Sequence, residues 1–495
     1  MRRVSLSGNT MVGMALQKLK IMRIAYRQAS KTKKAMLWFT VCSFIQRGIS
    51  FLTVPLFTRL MTQSEYGEFS VFQSWEQVAF YIVTLGMTYG GFNTAMMKFE
   101  KDRDGYTSSV TGLIVSFGLG WVAIAGVFRE PLSALLDMST PLLVMLFCEV
   151  VFQGVFDIWI CRTKFDFEYR KVLAASLFLA FATPALGVLF VLTMQDKVFG
   201  RIISFVLVEG IIAAILIVGV FVKGKSFFNQ GYWKFTLLFN IPLLPHYLSQ
   251  VLLNQSDRIV ISVYCGDVQA GIFSIAYSVS MIIMVAVTAI NSAFVPWMYR
   301  SLKSKRFSDI HDSILSMVAF FGLAVLLIEL LAPEIMAVLA PVEYQEGVYL
   351  IPPLSCCTLF IFVYSLCSNV EFFYERNKFA MIASGLSAVL NVALCVLLVP
   401  QFGYIVSGYV TLACYILLSF LHFSYAQRLN IRIAGCKVFE GKAIAYLCMA
   451  LLLASLAVSL LYFSLIARVL AFLLIVAVLV WKRSVFVRLF HNMKM

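Results

Sequence analysis

Long apolar stretches recur along almost the whole chain, and they constrain its fold more than any other feature. Each is about 20 residues long, which is the length that an α-helix needs to cross the hydrocarbon core of a bilayer. Only 13% of the residues are charged, whereas soluble domains carry about 25%. The sequence therefore predicts an all-α polytopic membrane protein of about fourteen spans, at residues 37–60, 70–96, 108–128, 136–158, 172–193, 202–222, 236–263, 271–298, 314–333, 350–373, 379–399, 404–425, 442–463 and 467–482.

Lysine and arginine are concentrated in alternate connections between these spans. If the amino terminus is placed inside, 33 of the 40 basic residues lie on that side, and five lie on the other. Cytoplasmic loops carry such an excess of basic residues, so the pattern predicts that both termini are cytoplasmic. The net charge of +15 then reflects orientation and contact with membrane lipid, and it does not indicate a nucleic-acid partner.

An internal repeat divides the predicted spans into two lobes. With an offset of 204 residues, four identical pairs align: Gln46 with Gln250, Gly67 with Gly271, Phe69 with Phe273 and Ser70 with Ser274. Six spans separate the two copies, and an even number predicts parallel, pseudo-symmetric halves related by an axis along the membrane normal. The predicted divisions are a basic cytoplasmic tail (1–35), an N-lobe of spans 1–6 (36–223), a cytoplasmic linker (224–234), a C-lobe of spans 7–12 (235–425), and a C-terminal helix pair with a cytoplasmic tail (426–495).

Several kinds of chemistry are disfavoured by the sequence. The eleven cysteines show no CxxC spacing, so neither a zinc site nor a disulfide framework is predicted. Residues 219–226, GVFVKGKS, match a phosphate-loop pattern, but they end span 6 and follow no buried strand, as a nucleotide site requires. We expect no nucleotide, metal or cofactor. The loops are short, so a catalytic domain is not expected either.

Span 7 holds an unusual density of polar residues, within the segment NIPLLPHYLSQVLLNQSDRIVISVYCGDVQAGIFS (240–274). An ionised side chain at membrane depth costs a few kcal/mol, which makes it a functional candidate by default. Arg47 in span 1 and Arg258 in span 7 are the two cations well inside spans. We expect them to line a wet cavity between the lobes, formed chiefly by spans 1, 2, 7 and 8, together with Gln46, Asn254, Asn291 and Tyr277.

Four other polar residues are candidates for binding a proton or a sodium ion: Glu76, Glu209, His246 and Asp257. Structural interpretations stay open for each of them. Asp257 and Arg258 can neutralise each other as a pair, the two glutamates can extend towards the outer interface, and a lone histidine between prolines can be structural. Glu149 can simply lie near the cytoplasmic surface, and Glu371 is placed there.

Prolines interrupt three of the spans that are predicted to line the cavity, at Pro55, Pro242, Pro245 and Pro296. Proline removes a helical hydrogen bond and allows the helix to bend. Broken helices near a repeat interface are typical of rocking transporters, so these residues are candidate hinges. Proline is also more frequent in membrane helices generally, which leaves a simpler explanation open.

Three segments resemble Wzx-type polysaccharide and O-antigen flippases, members of the multidrug/oligosaccharidyl-lipid/polysaccharide exporter superfamily. They are VPLFTRLMTQSEYGEFSVF (54–72), IPLLPHYLSQVLLNQSDRIVISVYCGDVQAGIFSIAYSV (241–279) and LNVALCVLLVPQFGYIVSGYVTLACY (390–415). The resemblance implies a MATE-like fold of two pseudo-symmetric six-helix lobes around a central cavity, followed here by two C-terminal helices. Asp257 and Arg258 match the family's Asp-Arg pair. The stretch GYIVSGYV departs mildly from the family pattern after its glycine.

The resemblance also implies a function and a location. The substrate would be an undecaprenyl-diphosphate-linked oligosaccharide, flipped across the bacterial inner membrane by alternating access with proton or sodium coupling. Arg47 and Arg258 would shield the diphosphate, and a glycan polymerase and other assembly proteins would be partners. The pathway (O-antigen, capsule or exopolysaccharide) stays open. The alternatives are a drug or metabolite antiporter of the same fold, a lipid II flippase, and a membrane glycan polymerase.

Overall fold

The computed structural model describes residues 30–376 and 378–483, and these residues form helices joined by short turns. No β-strand occurs in these two ranges. In chain order the α-helices are α1 (Lys31–Leu60), α2 (Gln63–Thr84), α3 (Gly90–Lys98), α4 (Arg103–Val127), α5 (Arg129–Leu136), α6 (Thr140–Phe165), α7 (Tyr169–Thr193), α8 (Lys197–Gly224), α9 (Gln230–Asn240), α10 (Leu244–Cys265), α11 (Asp267–Ser280), α12 (Ile283–Lys303), α13 (Phe307–Leu330), α14 (Ala332–Leu339), α15 (Ile351–Phe373), α16 (Lys378–Phe402), α17 (Ile405–Ala434), α18 (Gly441–Val458) and α19 (Leu465–Trp481). Shorter 3-10 turns lie at Glu100–Asp102, Ile241–Leu243, Val342–Leu350 and Ser459–Phe463.

The helices confirm the predicted polytopic architecture. Each predicted span coincides with one helix or with two successive helices, and spans 2, 7 and 8 are the divided ones. Within the described ranges, 11 helices are long and apolar enough to cross a membrane, and the bent pair α11–α12 makes 12. Two predicted spans fall outside this count: α19 is apolar but only 17 residues long, and α2, which forms most of span 2, is not among these apolar helices. Most of the predicted basic tail (1–29) and residues 484–495 lie outside the described residues.

A capping box fixes the tight turn between α1 and α2. The Thr62 hydroxyl accepts a hydrogen bond from the Glu65 backbone N–H (3.2 Å), and the Glu65 carboxylate accepts one from the Thr62 N–H (2.7 Å). This reciprocal arrangement satisfies backbone donors that have no partner inside the helix. Only two residues separate the helices, so α2 must return through the membrane directly beside α1.

The helices pack into the two lobes that the repeat predicts. In the first lobe α6 packs against α4 and α8, and α1 packs against α7; in the second, α15 packs against α17 and α10 against α16. The C-terminal helices α18 and α19 pack against α13. One seam between the lobes is closed, because α2 contacts both α10 and α11. At the other seam, α1 and α12 line opposite sides of a cavity.

The predicted linker region leads into a helix that binds the first lobe. Helix α8 ends at Gly224, and α9 begins at Gln230. The Tyr232 hydroxyl donates to the Asp102 carboxylate (2.7 Å), and the Trp233 indole N–H donates to the Ser109 carbonyl (2.9 Å). After the 3-10 turn, α10 packs against the second lobe. The break in span 7, at residues 241–243, therefore lies between a helix that packs on the first lobe and a helix that packs on the second.

Candidate functional site

A cavity of about 650 Å³ lies between the lobes, on the seam formed by α1 and α12. Its first-lobe wall is α1, which contributes Arg47, Ser50 and Phe51, and its second-lobe wall is formed by α10, α11 and α12. A smaller cavity extends it along α1 and α12, and Arg47 lines both. Arg258 and Tyr277 also line the larger cavity. The structure thus brings together the two arginines that lie 211 positions apart in the sequence.

Arg258 is held rigidly in this wall. Its Nε donates to the Ser274 hydroxyl (3.0 Å), and its Nη1 donates to the Asn254 carbonyl (3.1 Å) and to the Gln255 side chain (2.8 Å). The guanidinium lies 4.3 Å from the ring centroid of Tyr277, where a cation is attracted by the ring face. Its Nη2 has no acceptor among the described residues, so a guanidinium fixed in orientation keeps donors for a ligand.

Asp257, although adjacent to Arg258, faces the interior of the second lobe. Its carboxylate accepts hydrogen bonds from the Thr411 hydroxyl (2.7 Å) and the Cys395 thiol (3.3 Å), and the side chain is fully buried. Asn391 in turn donates to Thr411 (3.0 Å). The two neighbouring charges therefore bind different partners, and no ion pair joins them within the described ranges. Asp257 does not line the cavity.

The other predicted cavity residues divide between the wall and the helix packing. Tyr277 lines the cavity. Asn254 accepts hydrogen bonds from Tyr277 (3.3 Å) and Tyr415 (2.8 Å), so its amide oxygen is used within the second lobe. Asn291 donates to Ser365 (3.3 Å), and Gln46 accepts from the Cys42 thiol (3.8 Å). Asn254 and Asn291 thus join neighbouring helices, the Gln46 bond stays within α1, and Arg47, Arg258 and Tyr277 line the cavity.

The four predicted ion-coupling residues occupy three separate places. Glu76 on α2 and Glu209 on α8 lie in the first lobe, where both interact electrostatically with Glu149 on α6. Glu149, which the sequence leaves open as a surface residue, is 2% exposed, and its Oε2 has no hydrogen-bond partner among the described residues. Asp257 lies inside the second lobe. No group of three or more possible metal ligands occurs in the described ranges.

His246 lies near the start of α10. Its Nδ1 is 3.1 Å from the Ser384 hydroxyl of α16, and its ring centroid is 5.9 Å from that of Tyr247. It is half-buried and outside the cavity that the two arginines line. The structure therefore places it at the packing between α10 and α16.

Two of the four predicted hinge prolines lie at one of the three breaks in the spans, the break of span 7. Pro242 is in the 3-10 turn Ile241–Leu243, Pro245 is at the start of α10, and Pro55 and Pro296 lie within continuous helices. Span 2 breaks between α2 and α3, where Gly86 has φ +63°. A Cβ at Gly86 would lie 2.6 Å from the Tyr247 ring of the other lobe, so the position requires glycine.

Three tyrosines that the sequence did not single out pack together across the closed seam, near the break in span 2. The rings of Tyr81, Tyr89 and Tyr247 pack together, with centroids 5.1–5.9 Å apart, and the hydroxyls of Tyr81 and Tyr89 are hydrogen-bonded. Tyr247 belongs to α10 and the other two belong to the first lobe. No local pattern marks such a cluster, because its members come from separate helices.

A second cavity, of about 350 Å³, lies at the predicted cytoplasmic side of the first lobe, but its charges neutralise one another. Arg162 binds Asp104 (3.0 Å) and Asp166. Lys171 hydrogen-bonds Glu168 and thereby lowers the pKa of this carboxylate below its ordinary value. These exposed pairs stabilise the helix ends and provide no unpaired charge comparable with Arg47. The inter-lobe cavity is thus the better candidate.

Known proteins resemble the chain in both sequence and fold. "Lsg locus putative protein 1" from Haemophilus influenzae is 21% identical over 387 residues, which cover 73% of this chain and 90% of that protein. The solved structure "Lipid II flippase MurJ, inward closed conformation" aligns with a TM-score of 0.67 and 14% identity, over 91% of this chain and all of that one.

A multidrug resistance MATE family transporter in an inward-facing conformation aligns with a TM-score of 0.58 and 13% identity, over 78% of this chain and 98% of that one. At such low identities these structures establish the fold alone, which is the MATE-like arrangement that the sequence predicts. The family model described as "Polysaccharide biosynthesis protein" matches residues 32–302, more than half of the chain. The resemblance to polysaccharide flippases is thereby confirmed, and the chain belongs to this polysaccharide biosynthesis family of membrane transporters.

Proposed function

We propose that the protein flips an undecaprenyl-diphosphate-linked oligosaccharide from the cytoplasmic to the periplasmic leaflet of the bacterial inner membrane. The observation that carries the proposal is the pair of arginines on one inter-lobe cavity. A diphosphate is strongly anionic, and guanidinium groups bind phosphate oxygens through directed N–H donors. Arg47 and Arg258 come from different lobes, so a ligand bound to both is held by the two parts that alternating access moves.

The open seam suits a substrate with a lipid tail. On the α1 side of the cavity Phe44, Phe51 and Val54 are apolar, as are Met281 and Ile282 in the facing turn between α11 and α12. The polyprenyl chain can remain in the bilayer while the charged head enters between α1 and α12. At the closed seam α2 packs against α10 and α11, and this contact must open for the substrate to leave towards the outer leaflet.

Flipping the substrate in one direction against its concentration gradient requires an energy source, and we infer that a proton or sodium gradient supplies it. Buried acidic residues in both lobes support this inference. Glu149 lies with Glu76 and Glu209 in the first lobe, and Asp257 lies in the second. Their charge state or occupancy would change when the lobes reorient, because burial disfavours an uncompensated charge.

The test is the loss of surface glycan in cells that depend on this protein. Arg47→Ala and Arg258→Ala are expected to reach the membrane at wild-type levels and to abolish surface polysaccharide, while lipid-linked intermediates accumulate inside. Arg129→Ala is the matched control, because Arg129 is exposed and pairs only with its neighbour Glu130. Undiminished surface glycan in both cavity variants would overturn the proposal. Altered drug resistance with normal glycan would instead indicate a drug antiporter.

A further inference from the structure

A buried carboxylate–imidazole pair lies in the second lobe, away from the arginine-lined cavity. Glu371 is two residues from the end of α15, and His422 lies on α17. The His422 Nδ1 and the Glu371 Oε1 are 2.8 Å apart. The sequence places Glu371 near the cytoplasmic surface, and its position at the helix end agrees with this. Its burial is unexpected: Glu371 is 0% exposed and His422 is 2% exposed.

The Glu371 carboxylate accepts too few hydrogen bonds to be stable as an isolated buried charge. Glu371 Oε2 has no hydrogen-bond partner, and its one ion pair in the described part of the chain is with His422. A buried charge that lacks a fixed counter-ion is costly. By contrast, Arg468 lies 2.7 Å from Glu334 and provides a permanent cation there. The net charge of the Glu371–His422 pair is therefore set by the number of protons that the pair binds.

Proton counting shows what the pair can do. A neutral imidazole that donates from Nδ1 to an ionised carboxylate carries a net charge of −1. Adding one proton to the unpartnered Oε2 brings the pair to zero net charge and removes the buried anion. The added proton comes from water and returns to water, and no other group changes its bonds. The pair is therefore built to bind a single proton.

Aromatic side chains surround the pair, and among the described residues the charged group that pairs with Glu371 is His422. On α15, the helix that carries Glu371, the ring centroid of Tyr364 lies 5.6 Å from that of His422, and Cys367 interacts with Glu371. From α16, Phe379 packs edge-on against His422 at 5.9 Å. Titratable or charged groups on the neighbouring helices include His246 on α10, which interacts with His422, Tyr299, Arg300 and Lys303 on α12, Asp309, His311 and Asp312 on α13, Lys378 on α16, Tyr425 and Arg428 on α17, and Lys442 and Cys448 on α18.

We propose that Glu371 and His422 form a proton-binding site of the second lobe, which exchanges one proton with the cytoplasm during the transport cycle. Arg376 and Lys378 follow Glu371 within a few residues, on the predicted cytoplasmic side. The site rests on the proposed function, and it deepens that function by naming the proton as the coupling ion. His246, a predicted coupling residue, is the nearby titratable group on the helix that also carries Arg258.

Infrared difference spectroscopy on the purified full-length protein in lipid nanodiscs tests the site without any substrate. Between acidic and alkaline buffers, the wild-type protein is expected to lose the carbonyl stretch of a protonated buried carboxyl. This band should be absent from the difference spectrum of Glu371→Gln. It should persist in the matched control Glu329→Gln, because Glu329 is equally buried but its partner is the Ser455 hydroxyl (2.7 Å), with no base beside it.

A second variant separates proton binding from a purely structural role. His422→Gln keeps a hydrogen-bonding side chain but removes the base, so the pH midpoint of the Glu371 band should shift. The same band and midpoint as wild type in Glu371→Gln or in His422→Gln would overturn the proposal. Elution as a single species in size-exclusion chromatography confirms that each variant is folded.

The cellular assay distinguishes this proposal from the transport function itself. Glu371→Gln is expected to lose surface glycan while both arginines are intact. Loss of the infrared band with unchanged surface glycan would refute the coupling role of the pair. Failure of the Arg47→Ala and Arg258→Ala prediction would instead refute the flippase proposal, and the infrared result for Glu371 would still stand.

Discussion

Ser274 donates a hydrogen bond to Ser70 across the closed seam, with 2.9 Å between the two hydroxyl oxygens. The two serines are 204 residues apart, which is the offset of the internal repeat. Gly67 and Gly271, separated by the same offset, also meet: a Cβ on Gly271 would lie 3.3 Å from the Gly67 Cα. Equivalent residues of two halves touch only near the axis that relates them. The pseudo-symmetry axis therefore passes between α2 and α11.

A disulfide at this axis should lock the seam. In the double variant Ser70→Cys/Ser274→Cys, the close approach of the side chains is expected to permit cross-linking under mild oxidation. The cross-linked protein should stop exporting glycan, and a reductant should restore export, because outward opening requires α2 and α11 to separate. Surface glycan and a gel mobility shift after proteolysis between the lobes measure the two effects. The single variants are the controls, and normal export by fully cross-linked protein would contradict this mechanism.

Replacing Gly67 should weaken the same seam by steric overlap. A Cβ on Gly67 would collide with the carbonyl oxygen of Asp267, and backbone atoms cannot move aside as a flexible side chain can. We expect Gly67→Ala to separate α2 from α11. In a Ser274→Cys background, Gly67→Ala should accelerate labelling by a membrane-impermeant maleimide from the outer side.

Gly120→Ala is the matched control for this substitution, because a Cβ at Gly120 has nothing within 4 Å. Labelling at the same rate in Gly67→Ala and in the control would show that the seam tolerates the methyl group. It would also show that close helix contact does not keep this side closed.

Much of the fold follows from the sequence because one strong physical constraint, the cost of unpaired backbone groups in hydrocarbon, requires each apolar stretch to be a helix. Spans and lobes were therefore predictable. The break in span 2 was not: Leu85 and Gly86 adopt positive φ there, and Gly86 lies against the ring of Tyr247, a residue of the other lobe. A sequence pattern records local preferences, and this contact joins residues about 160 positions apart.

The candidate site was also predictable from the sequence only in part. Arg47 and Arg258 stand out because a cation at membrane depth needs a reason, and both line one cavity. The direction of the Asp257 side chain was not predictable, because its donors Cys395 and Thr411 follow it by 138 and 154 residues. The burial of Glu371 likewise depends on His422, 51 residues away on another helix.

Removing a donor from Asp257 should destabilise the second lobe. Thr411→Val preserves the shape of the side chain but leaves the buried carboxylate with one fewer hydrogen bond. Loss of a partner to a buried charged group costs about 1.5–3 kcal/mol, so the thermal unfolding temperature of the detergent-solubilised protein should fall. Thr193→Val is the control, because Thr193 is exposed and its hydroxyl bonds only the Leu189 carbonyl of its own helix. Equal unfolding temperatures for the two variants would show that the Thr411 hydrogen bond to Asp257 does not stabilise the second lobe.

The two cavity arginines should differ in their tolerance of lysine. Arg258 is fixed by three hydrogen bonds from Nε and Nη1 and by the Tyr277 ring, a geometry that a single ammonium group cannot reproduce. Arg47 is exposed on the opposite wall, where a point charge suffices to attract a phosphate. We therefore expect Arg258→Lys to lower surface glycan by roughly tenfold or more, since the loss of charged hydrogen bonds costs about 1.5–3 kcal/mol. Arg47→Lys should retain most of the export, measured in both cases at limiting, matched expression. If the two lysine variants export equally, directed donors at Arg258 are not needed, and net charge alone holds the substrate.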